Sequence, residues 1–408
     1  MARRSVDHLL IGGGLAAANC ARWLREEGAD GSILLVGREP DPPYNRPPLS
    51  KGYMQGKEPR EEVFFRPDEW WEEQRIELMT GTSVMKLDPS ERVATLSDKD
   101  EVSFEKALLA TGANVRRLRV DGCALEGIHY LRALANSEAI RKHASRSERV
   151  VLIGGSYIGT EVAASLAASQ GKSCAIVMLE EVTLERQFGK KVGGYFQGVL
   201  EEHGVEVHGG QEVERFDGSG SVEKVVTKSG LELDCDCVVI GAGVVPEVTL
   251  ARSAGLELGE AGGVRCSSRL ETSVPGVYAA GDICEYDSPV HGRPMRIEHW
   301  DVAFNQGKTA ALNMLGRDTE HDVVPYFFSD LADWTSMEYV GPGSGDLAVR
   351  GSLEDDDFTA FYVDDGRVTA ALTVGRSEDL EPAKRFISER STLDAAALAD
   401  EGTQLAAL

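Results

Sequence analysis

Three small residues near the start of the chain are spaced so that they can hold a phosphate group. They follow a short segment at residues 6–11 that ends in Leu-Leu-Ile, and they open an alanine-rich segment. Glycine permits a tight turn, so a pyrophosphate can sit at the amino terminus of the following helix, where free N–H groups attract negative charge. Glu39 lies 22 residues beyond Ala17, where an acid can bind a ribose. The pattern predicts a dinucleotide site with the contacts Gly12, Gly14, Leu15, Ala16 and Ala17.

A second glycine turn, at residues 154–159, departs from the pattern at one position. It follows the apolar run 150–153, and Glu180 stands 21 residues beyond Gly159. Ser156 replaces the middle glycine, so a phosphate meets either a wider turn or an added hydroxyl contact. A carboxylate at position 180 pairs with free ribose hydroxyls and repels a 2′-phosphate, which favours NADH over NADPH, unless Glu180 is merely solvated. The predicted contacts are Gly154, Ser156, Tyr157, Ile158, Gly159, Glu180 and Arg186.

Two dinucleotide turns in one chain suggest that two adenine-bearing ligands meet. A hydride donor and a flavin both carry adenosine diphosphate, so the pair indicates a flavin oxidoreductase with FAD at the first turn and NADH at the second. Residues 110–112 end one apolar strand, and Asp282 ends another. The carboxylate of Asp282 can accept a hydrogen bond from a ribityl hydroxyl, or it can simply cap the next turn.

Two β-α-β units must position these turns. Each has a short apolar strand, a glycine turn, an alanine-rich helix and a second strand, which is typical of a parallel sheet. We expect strands at residues 108–112, 175–179, 238–240 and 276–280, and a helix at 302–315 ended by Gly316. The fold class is α/β, with two Rossmann-like domains and a small α+β C-terminal domain. The expected boundaries are 1–114 and 241–318 for FAD, 115–240 for NADH and 319–408 for the C-terminal domain.

The most specific motif is Pro-Tyr-Asn-Arg-Pro-Pro-Leu-Ser-Lys at residues 43–51. It is supported by Thr111-Gly112, residues 241–246, Gly281-Asp282, Glu298-His299-Trp300 and residues 305–307. With these motifs the chain resembles, over nearly its whole length, the oxygenase-coupled ferredoxin and rubredoxin reductases. That class also contains apoptosis-inducing factor and monodehydroascorbate reductase. The resemblance implies a glutathione-reductase-like arrangement of the two dinucleotide-binding domains.

The resemblance also implies roles for single residues. Lys51 would pair with Glu161 beside the reactive flavin nitrogen, where the pair can bias the flavin potential and orient the nicotinamide. Trp300 matches an aromatic residue next to the nicotinamide pocket. In the simpler alternatives, Lys51 is a surface lysine and Glu161 is an acid that the helix dipole favours in a first turn. Trp300 would then be a core residue. The implied catalytic residues are Lys51, Glu161 and Trp300. The other implied contacts are Arg38, Glu39, Arg46, Lys51, Val84, Ala110, Thr111, Gly112, Asp282, Glu298, His299 and Trp300 for FAD, and Glu161 and Gly243 for NADH.

Two departures from the family pattern bear on function. Where relatives often carry an acid directly after the second strand, this chain has Gly37-Arg38 and only then Glu39. Either Arg38 or Glu39 can therefore meet the adenosine ribose. The aromatic run of the C-terminal domain, which often contains tryptophan, is here Phe327-Phe328-Ser329-Asp330.

The charge balance excludes two classes of partner. The chain has 67 acidic and 43 basic residues and a net charge of −24, so nucleic acid and anionic membranes would be repelled. No stretch of about 18 apolar residues predicts a transmembrane helix. The first strand begins too early to leave room for a targeting segment, so we expect a cytoplasmic protein.

The cysteines exclude a third class, the disulphide reductases. Seven cysteines are scattered without zinc spacing, which predicts reduced core thiols and no metal site. A disulphide reductase needs a C-x-x-C or C-x₄-C pair against the flavin, and Cys235-Asp236-Cys237 is too closely spaced. Electrons must therefore leave the flavin outward.

The function predicted from these features is that of an NADH-dependent ferredoxin reductase. FAD would take a hydride from NADH and pass single electrons to a small ferredoxin-type protein that serves an oxygenase or P450. The resemblance alone supplies this acceptor, and the net charge weighs against an acidic ferredoxin unless arginines gather on the docking face, such as Arg116, Arg117, Arg293 and Arg296. The alternatives are an NADH oxidase or small-acceptor reductase, and an NADH-responsive redox sensor like apoptosis-inducing factor. The oligomeric state is not predicted.

Overall fold

The first glycine turn joins a buried strand to a buried helix. The computed structural model describes residues 3–408, and in it β1 (Arg3–Ile11) leads into α1 (Leu15–Glu26) and then β2 (Ile33–Val36). β1 and β2 pair in parallel, and both faces are covered where Leu9, Leu10 and Ile11 of β1 lie beside the fully buried β2, which explains the apolar residues there. The first predicted β-α-β unit is therefore confirmed.

The first sheet grows outward on both sides of β1. After β2 come the short helices α2 (Gly52–Gln55), α3 (Arg60–Val63) and α4 (Asp68–Glu73). The strands that follow are β3 (Ile76–Met79), β4 (Val84–Asp88), β5 (Val93–Leu96), β6 (Glu101–Leu109) and β7 (Ala113–Val115). The strand order is β3-β2-β1-β6-β5-β4. The strand predicted at 108–112 ends at Leu109, so Ala110, Thr111 and Gly112 form a turn at the carboxyl edge of the sheet, where ligands of such folds bind.

The second unit repeats this design around a five-stranded parallel sheet. Its strand order is β11-β10-β9-β15-β8, and β12, β13 and β14 form a separate antiparallel sheet. The strand predicted at 175–179 ends at Val177, and Leu179 beyond it is 57% exposed. The elements are β8 (Ile128–Tyr130), α5 (Leu134–Ala144), β9 (Arg149–Ile153), α6 (Tyr157–Gln170), β10 (Ser173–Val177), α7 (Glu185–Glu202), β11 (Glu206–His208), β12 (Val213–Asp217), β13 (Lys224–Thr227), β14 (Glu232–Asp234) and β15 (Cys237–Ile240).

The chain then returns to the first sheet. The elements are β16 (Val244–Pro246), α8 (Thr249–Ser253), β17 (Val264–Cys266), β18 (Val277–Ala279), β19 (Cys284–Ser288), β20 (Arg293–Met295) and α9 (Trp300–Met314). β16 pairs with β7, and β18 pairs with β6 in parallel. α9 packs on α1 so closely that a Cβ at Gly307 would lie 2.5 Å from the carbonyl oxygen of Ala16. The helix begins two residues before the predicted start, and Gly316 follows it with a φ of +80°.

The last fifth of the chain is a five-stranded antiparallel sheet with helices. Its elements are β21 (Tyr326–Leu331), β22 (Thr335–Val340), β23 (Asp346–Ser352), β24 (Asp357–Asp364), β25 (Arg367–Val374), α10 (Leu380–Glu389) and α11 (Ala395–Ala399). The strand order is β21-β22-β25-β24-β23, and β21 packs against α6 and α9. The predicted α/β class with a small α+β unit is confirmed. Within residues 3–408, no helix has the length and apolarity needed to cross a lipid bilayer.

A buried histidine makes the fold sensitive to acid. His321 packs edge-on against Tyr286, with its Nδ1 3.2 Å from the Thr309 hydroxyl, and burial lowers its pKa to about 4 from the usual 6.5. The unfolded chain therefore binds the proton first, so this contribution to stability is complete above pH 6.5 and is lost as the pH falls toward 4.

We predict that His321→Gln makes the stability less dependent on pH between 6.5 and 4. The expected difference in slope is about 1.4 kcal/mol per pH unit. Melting temperatures of wild type and variant at pH 7.0, 6.0 and 5.0 measure it, with His208→Gln at the half-buried strand end as the control. Equal pH slopes in wild type and His321→Gln would contradict the prediction.

Candidate active site

A cavity of about 600 Å³ is lined by both glycine turns. Residues 12–16 line it where α1 begins, and residues 156–158 line it where α6 begins. Two helix amino termini, each with free N–H groups, thus reach one cavity. Its size falls within the range of roughly 300–1,000 Å³ that is usual for cofactor sites.

Most of the residues predicted to contact FAD line this cavity. Ala17 does not, since it is fully buried behind the turn, where a small residue lets helix and strand pack closely. The residues that do line it are Gly12, Gly14, Leu15, Ala16, Arg38, Glu39, Arg46, Lys51, Val84, Ala110, Thr111, Gly112, Asp282, Glu298, His299 and Trp300.

The residues predicted to contact NADH divide into two groups. Ser156, Tyr157, Ile158, Glu161 and Gly243 line the cavity. Gly154 and Gly159 lie behind it, where a Cβ at position 159 would overlap the carbonyl oxygen of Gly154, so this glycine allows close helix–strand packing. Glu180 and Arg186 form an ion pair outside the cavity, with 22% and 70% of their side chains exposed. The hydroxyl of Ser156 accepts a hydrogen bond from Gln187 at 3.0 Å.

The two outer glycines of the first turn have different surroundings. Gly12 has a φ of +131°, and a Cβ there would overlap the carbonyl oxygen of Ala110, so this position requires glycine for the fold itself. At Gly14 no atom beyond the adjacent residues lies within 4 Å of the Cβ position, and the residue lines the cavity. The open space at Gly14 fits a phosphate group that approaches the backbone, as FAD would require.

A chain of charged groups crosses the cavity wall. Arg46 pairs with Glu39 at 2.8 Å and donates a hydrogen bond to the backbone carbonyl oxygen of Arg132. The guanidinium of Arg132 pairs with Asp282 at 3.0 Å. Burial alone would raise the pKa of Glu39, but Arg46 and the hydroxyl of Tyr44 outweigh it and hold this pKa below its usual value. The sequence did not point to Arg132, because Asp282 lies 150 residues away.

Arg38 and Glu39 are held in different ways. The guanidinium of Arg38 is exposed and donates to Asn114 at 2.5 Å. The carboxylate of Glu39 is fixed by Arg46 and by the hydroxyl of Tyr44, at 2.5 Å. Both side chains line the cavity, and either one could reach an adenosine ribose there. Which of the two does so stays a prediction.

The ion pair between Lys51 and Glu161 is present, and it has a third member. The Lys51 ammonium lies 3.5 Å from Glu161 and 3.2 Å from Asp330, with the ring centroid of Phe328 at 4.2 Å. The hydroxyls of Ser50 and Ser329 each donate to Glu161 at 2.5 Å. Burial raises the pKa of Glu161, against the attraction of Lys51. Asp330 and Ser329 were not predicted, because they come from β21, which is remote in the chain.

Aromatic side chains line the cavity next to this cluster. Phe327 contacts Tyr157 and His299, with ring centroids 4.3 and 4.9 Å apart. The indole of Trp300 donates to Asn45 at 3.2 Å and stacks on Phe304. Trp300 is therefore half-buried at the cavity wall and is not a core residue.

The amino terminus of α9 faces the cavity through Glu298, His299 and Trp300. Burial lowers the pKa of His299 to about 4, so its imidazole is neutral at pH 7. The buried Nδ1 of His299 has no hydrogen-bond partner among the described residues. A buried polar atom beside a helix amino terminus suits a ligand with polar or anionic groups, such as the flavin ring.

Thiols take no part in this cavity. All seven cysteines are free, and none of them lines the cavity within residues 3–408. Burial raises the pKa of Cys174, Cys235 and Cys237 to about 12, so these thiols are neutral. The geometry therefore offers no cysteine pair to take electrons from a ligand in the cavity.

Comparison with known families decides what kind of protein this is. A family model described as pyridine nucleotide-disulphide oxidoreductase matches residues 6–307. The chain belongs to this family. A second model, described as reductase C-terminal, matches residues 326–408 and so covers the antiparallel sheet and its helices.

Several relatives match this family member over almost the whole chain. Putidaredoxin reductase CamA of Pseudomonas putida is 32% identical, covering 97% of this chain and 95% of that protein. The anthranilate 1,2-dioxygenase system ferredoxin–NAD(+) reductase component of Burkholderia cepacia is 34% identical, covering 96% of each. The crystal structure of the covalent putidaredoxin reductase–putidaredoxin complex matches with a TM-score of 0.93 at 32% identity, over 98% of this chain and 97% of that chain. The resemblance seen in the sequence is confirmed.

Proposed function

We propose that this pyridine nucleotide-disulphide oxidoreductase family member is an NADH-dependent ferredoxin reductase. The observation that carries the proposal is one cavity lined by both dinucleotide turns and, within the described chain, by no cysteine. Two nucleotide ligands can meet in such a cavity, and electrons can leave only to an external acceptor. The relatives named as ferredoxin reductases of oxygenase systems support a ferredoxin-type acceptor.

FAD is the ligand proposed for the first turn, where α1 offers free N–H groups to a pyrophosphate. When bound, FAD supplies a group that can accept two electrons as a hydride and release them one at a time. Glu39, fixed by Arg46 and Tyr44, is our candidate for the adenosine ribose. Asp282, held by Arg132, is our candidate for the ribityl chain. We also propose the division into residues 1–114 and 241–318 for FAD, 115–240 for NADH and 319–408 for the C-terminal domain.

NADH is the ligand proposed for the second turn. Tyr157 and Ile158 open α6 and line the cavity, and Glu180 lies beyond β10. The carboxylate of Glu180 is held by Arg186, so it is positioned to accept hydrogen bonds from ribose hydroxyls and to repel a 2′-phosphate.

The cluster around Lys51 is proposed to orient the two reacting rings. Its ammonium is held from two sides by Glu161 and Asp330, and the Ser50 and Ser329 hydroxyls fix Glu161 in turn. A buried cation held in this way stabilises negative charge that develops beside it. The raised pKa of Glu161 makes this carboxyl a place where a proton can be held inside the cavity.

Charge limits how the partner can dock. With a net charge of −24, an acidic ferredoxin needs a local basic surface. Arg116, Arg117 and Arg293 are exposed, whereas Arg296 is committed to Glu298 at 2.5 Å and to two backbone carbonyls. Three of the four arginines considered thus remain candidates. The free thiols support the cytoplasm as the proposed compartment.

The cofactor preference can be tested at Glu180. Glu180→Ser is expected to free Arg186 for a 2′-phosphate, and hydrogen bonds to charged groups contribute about 1.5–3 kcal/mol. The ratio of kcat/KM for NADPH over NADH should therefore rise roughly tenfold to a hundredfold. Glu181→Ser, at the exposed neighbouring acid, is the matched control and should leave the ratio unchanged. An unchanged ratio in Glu180→Ser would remove this residue from the nucleotide site.

One set of measurements tests the proposed function. The purified protein is expected to be yellow, to bleach with NADH under anaerobic conditions, and to reduce cytochrome c only when a ferredoxin is added. Rapid reoxidation by air without ferredoxin would instead indicate an oxidase or small-acceptor reductase. A long-lived charge-transfer band with slow turnover and an NADH-dependent elution volume would indicate a redox sensor. A colourless protein that takes up no FAD would overturn all three functions.

A further inference from the structure

Three potential metal ligands meet in the second unit, away from the cavity. His129 lies on β8, His143 on α5 and Cys237 on β15. Their ligand atoms all lie within 4.8 Å of one another, and His129 Nε2 is 3.0 Å from His143 Nδ1. None of the three lines the cavity, and the proposed function gives them no role.

The sheet register brings these residues together. β15 and β8 pair in parallel, with Val239 opposite His129. Because alternate residues of a strand share a face, Cys237 projects from the same face as Val239 and His129. α5 packs against β8 and β15 and adds His143. The cluster therefore follows from the parallel pairing of two strands and the helix that covers them.

A glycine makes room for one of the imidazoles. Gly127 has a φ of +89°, and a Cβ there would lie 2.9 Å from Cε1 of His143 and 3.1 Å from Val222. Any side chain at this position would force the imidazole of His143 to shift. The approach of His143 to His129 thus depends on Gly127, and the positive φ at this position also favours glycine.

The distance between the two imidazole nitrogens is close to that of a tetrahedral metal centre. Zinc binds imidazole nitrogen at about 2.0–2.1 Å and thiolate sulfur at about 2.3 Å, which places two tetrahedral nitrogen ligands roughly 3.3 Å apart. The observed nitrogen–nitrogen distance is 3.0 Å. Because the sulfur of Cys237 lies within 4.8 Å of both nitrogens, side-chain rotations would bring the three ligand atoms around one ion.

We propose that His129, His143 and Cys237 form a binding site for one Zn²⁺ ion, with water as the fourth ligand. Two imidazoles and a thiolate are a donor set that zinc prefers, and three protein ligands leave an open position. Without the ion, the imidazoles hydrogen-bond to each other and the buried thiol is neutral, so the fold does not need the metal. On binding, the thiol releases its proton to solvent.

The ion would hold both ends of the segment 129–143. Between these ends lies Arg132, which pairs with Asp282 and contacts Arg46 through its carbonyl oxygen in the cofactor cavity. A metal that binds the native state raises its stability by mass action. Zinc is therefore expected to raise the melting temperature of the flavin-containing protein.

The test uses the holoprotein, purified without a histidine tag and dialysed against a chelator. Zinc is titrated against a chromophoric chelator, and Co²⁺ serves as a spectroscopic probe. We expect one high-affinity ion per chain and a thiolate-to-cobalt charge-transfer band. Cys237→Ser should abolish this band, and His143→Gln should weaken zinc binding by more than about 100-fold, since even outer-shell changes cost 10- to 100-fold.

Two controls separate the site from other metal-binding groups. Cys174→Ser removes a neighbouring buried thiol on β10, and His208→Gln removes a half-buried imidazole on β11. Both should bind zinc like the wild type. Flavin absorbance and melting temperature report whether each variant is folded. The proposal is overturned if the wild type binds no zinc, or if folded Cys237→Ser and His143→Gln both bind it with wild-type affinity.

Discussion

Gly14→Ala is expected to give a folded protein that no longer retains FAD. A Cβ at position 14 meets no atom beyond the adjacent residues within 4 Å, so the protein without cofactor should tolerate the methyl group. The same methyl group would project where the pyrophosphate of the proposed FAD would lie, and overpacking of this kind costs about 1–3 kcal/mol. FAD affinity should therefore fall by up to about 100-fold. After purification, the ratio of flavin absorbance to protein absorbance measures how much FAD the variant retains. Titration of the apoprotein with FAD then gives the dissociation constant.

Two further glycines complete this experiment. Gly194→Ala, at an open position on α7, is the matched control and should keep both the fold and the flavin. Gly12→Ala should instead lower the melting temperature of the apoprotein, because its Cβ overlaps the Ala110 carbonyl. If Gly14→Ala binds FAD like the wild type, the pyrophosphate does not lie on this turn.

Lys51→Met is expected to slow reduction of bound FAD by NADH by about 100- to 1,000-fold, the effect seen when one preorganised electrostatic group is removed. The ammonium lies between Glu161 and Asp330, so its loss leaves two carboxylates beside a ring that gains negative charge. Repulsion between like charges opposes that reduction and raises the pKa of Glu161 further. Anaerobic stopped-flow bleaching at saturating NADH, measured as a function of pH, gives the rate.

The other members of the cluster make this prediction specific. Lys57→Met, at an exposed lysine, is the control and should reduce at the wild-type rate. Asp330→Asn should have a smaller effect than Lys51→Met, because Glu161 still holds the ammonium. Wild-type rates in Lys51→Met would leave this lysine with a structural role only.

The structure adds to the predicted site mainly through residues that are remote in the chain. Arg132 and Asp330 both contact predicted site residues, yet no sequence motif assigned either of them a partner in the site. Arg132 follows a short strand, and Asp330 lies in β21, whose aromatic residues predict a strand and no more. Glu180 and Arg186 were predicted to contact NADH, but they pair with each other outside the cavity.

The sequence by itself determined the two β-α-β units and their glycine turns. These depend on interactions within about 30 residues, where backbone conformation limits the side chains that can occur, as Gly12 illustrates with its φ of +131°. The second partner of Lys51, Asp330, and the meeting of His129, His143 and Cys237 were decided only by the tertiary structure. These contacts join strands and helices that are far apart in the chain, and only sheet order and packing bring them together.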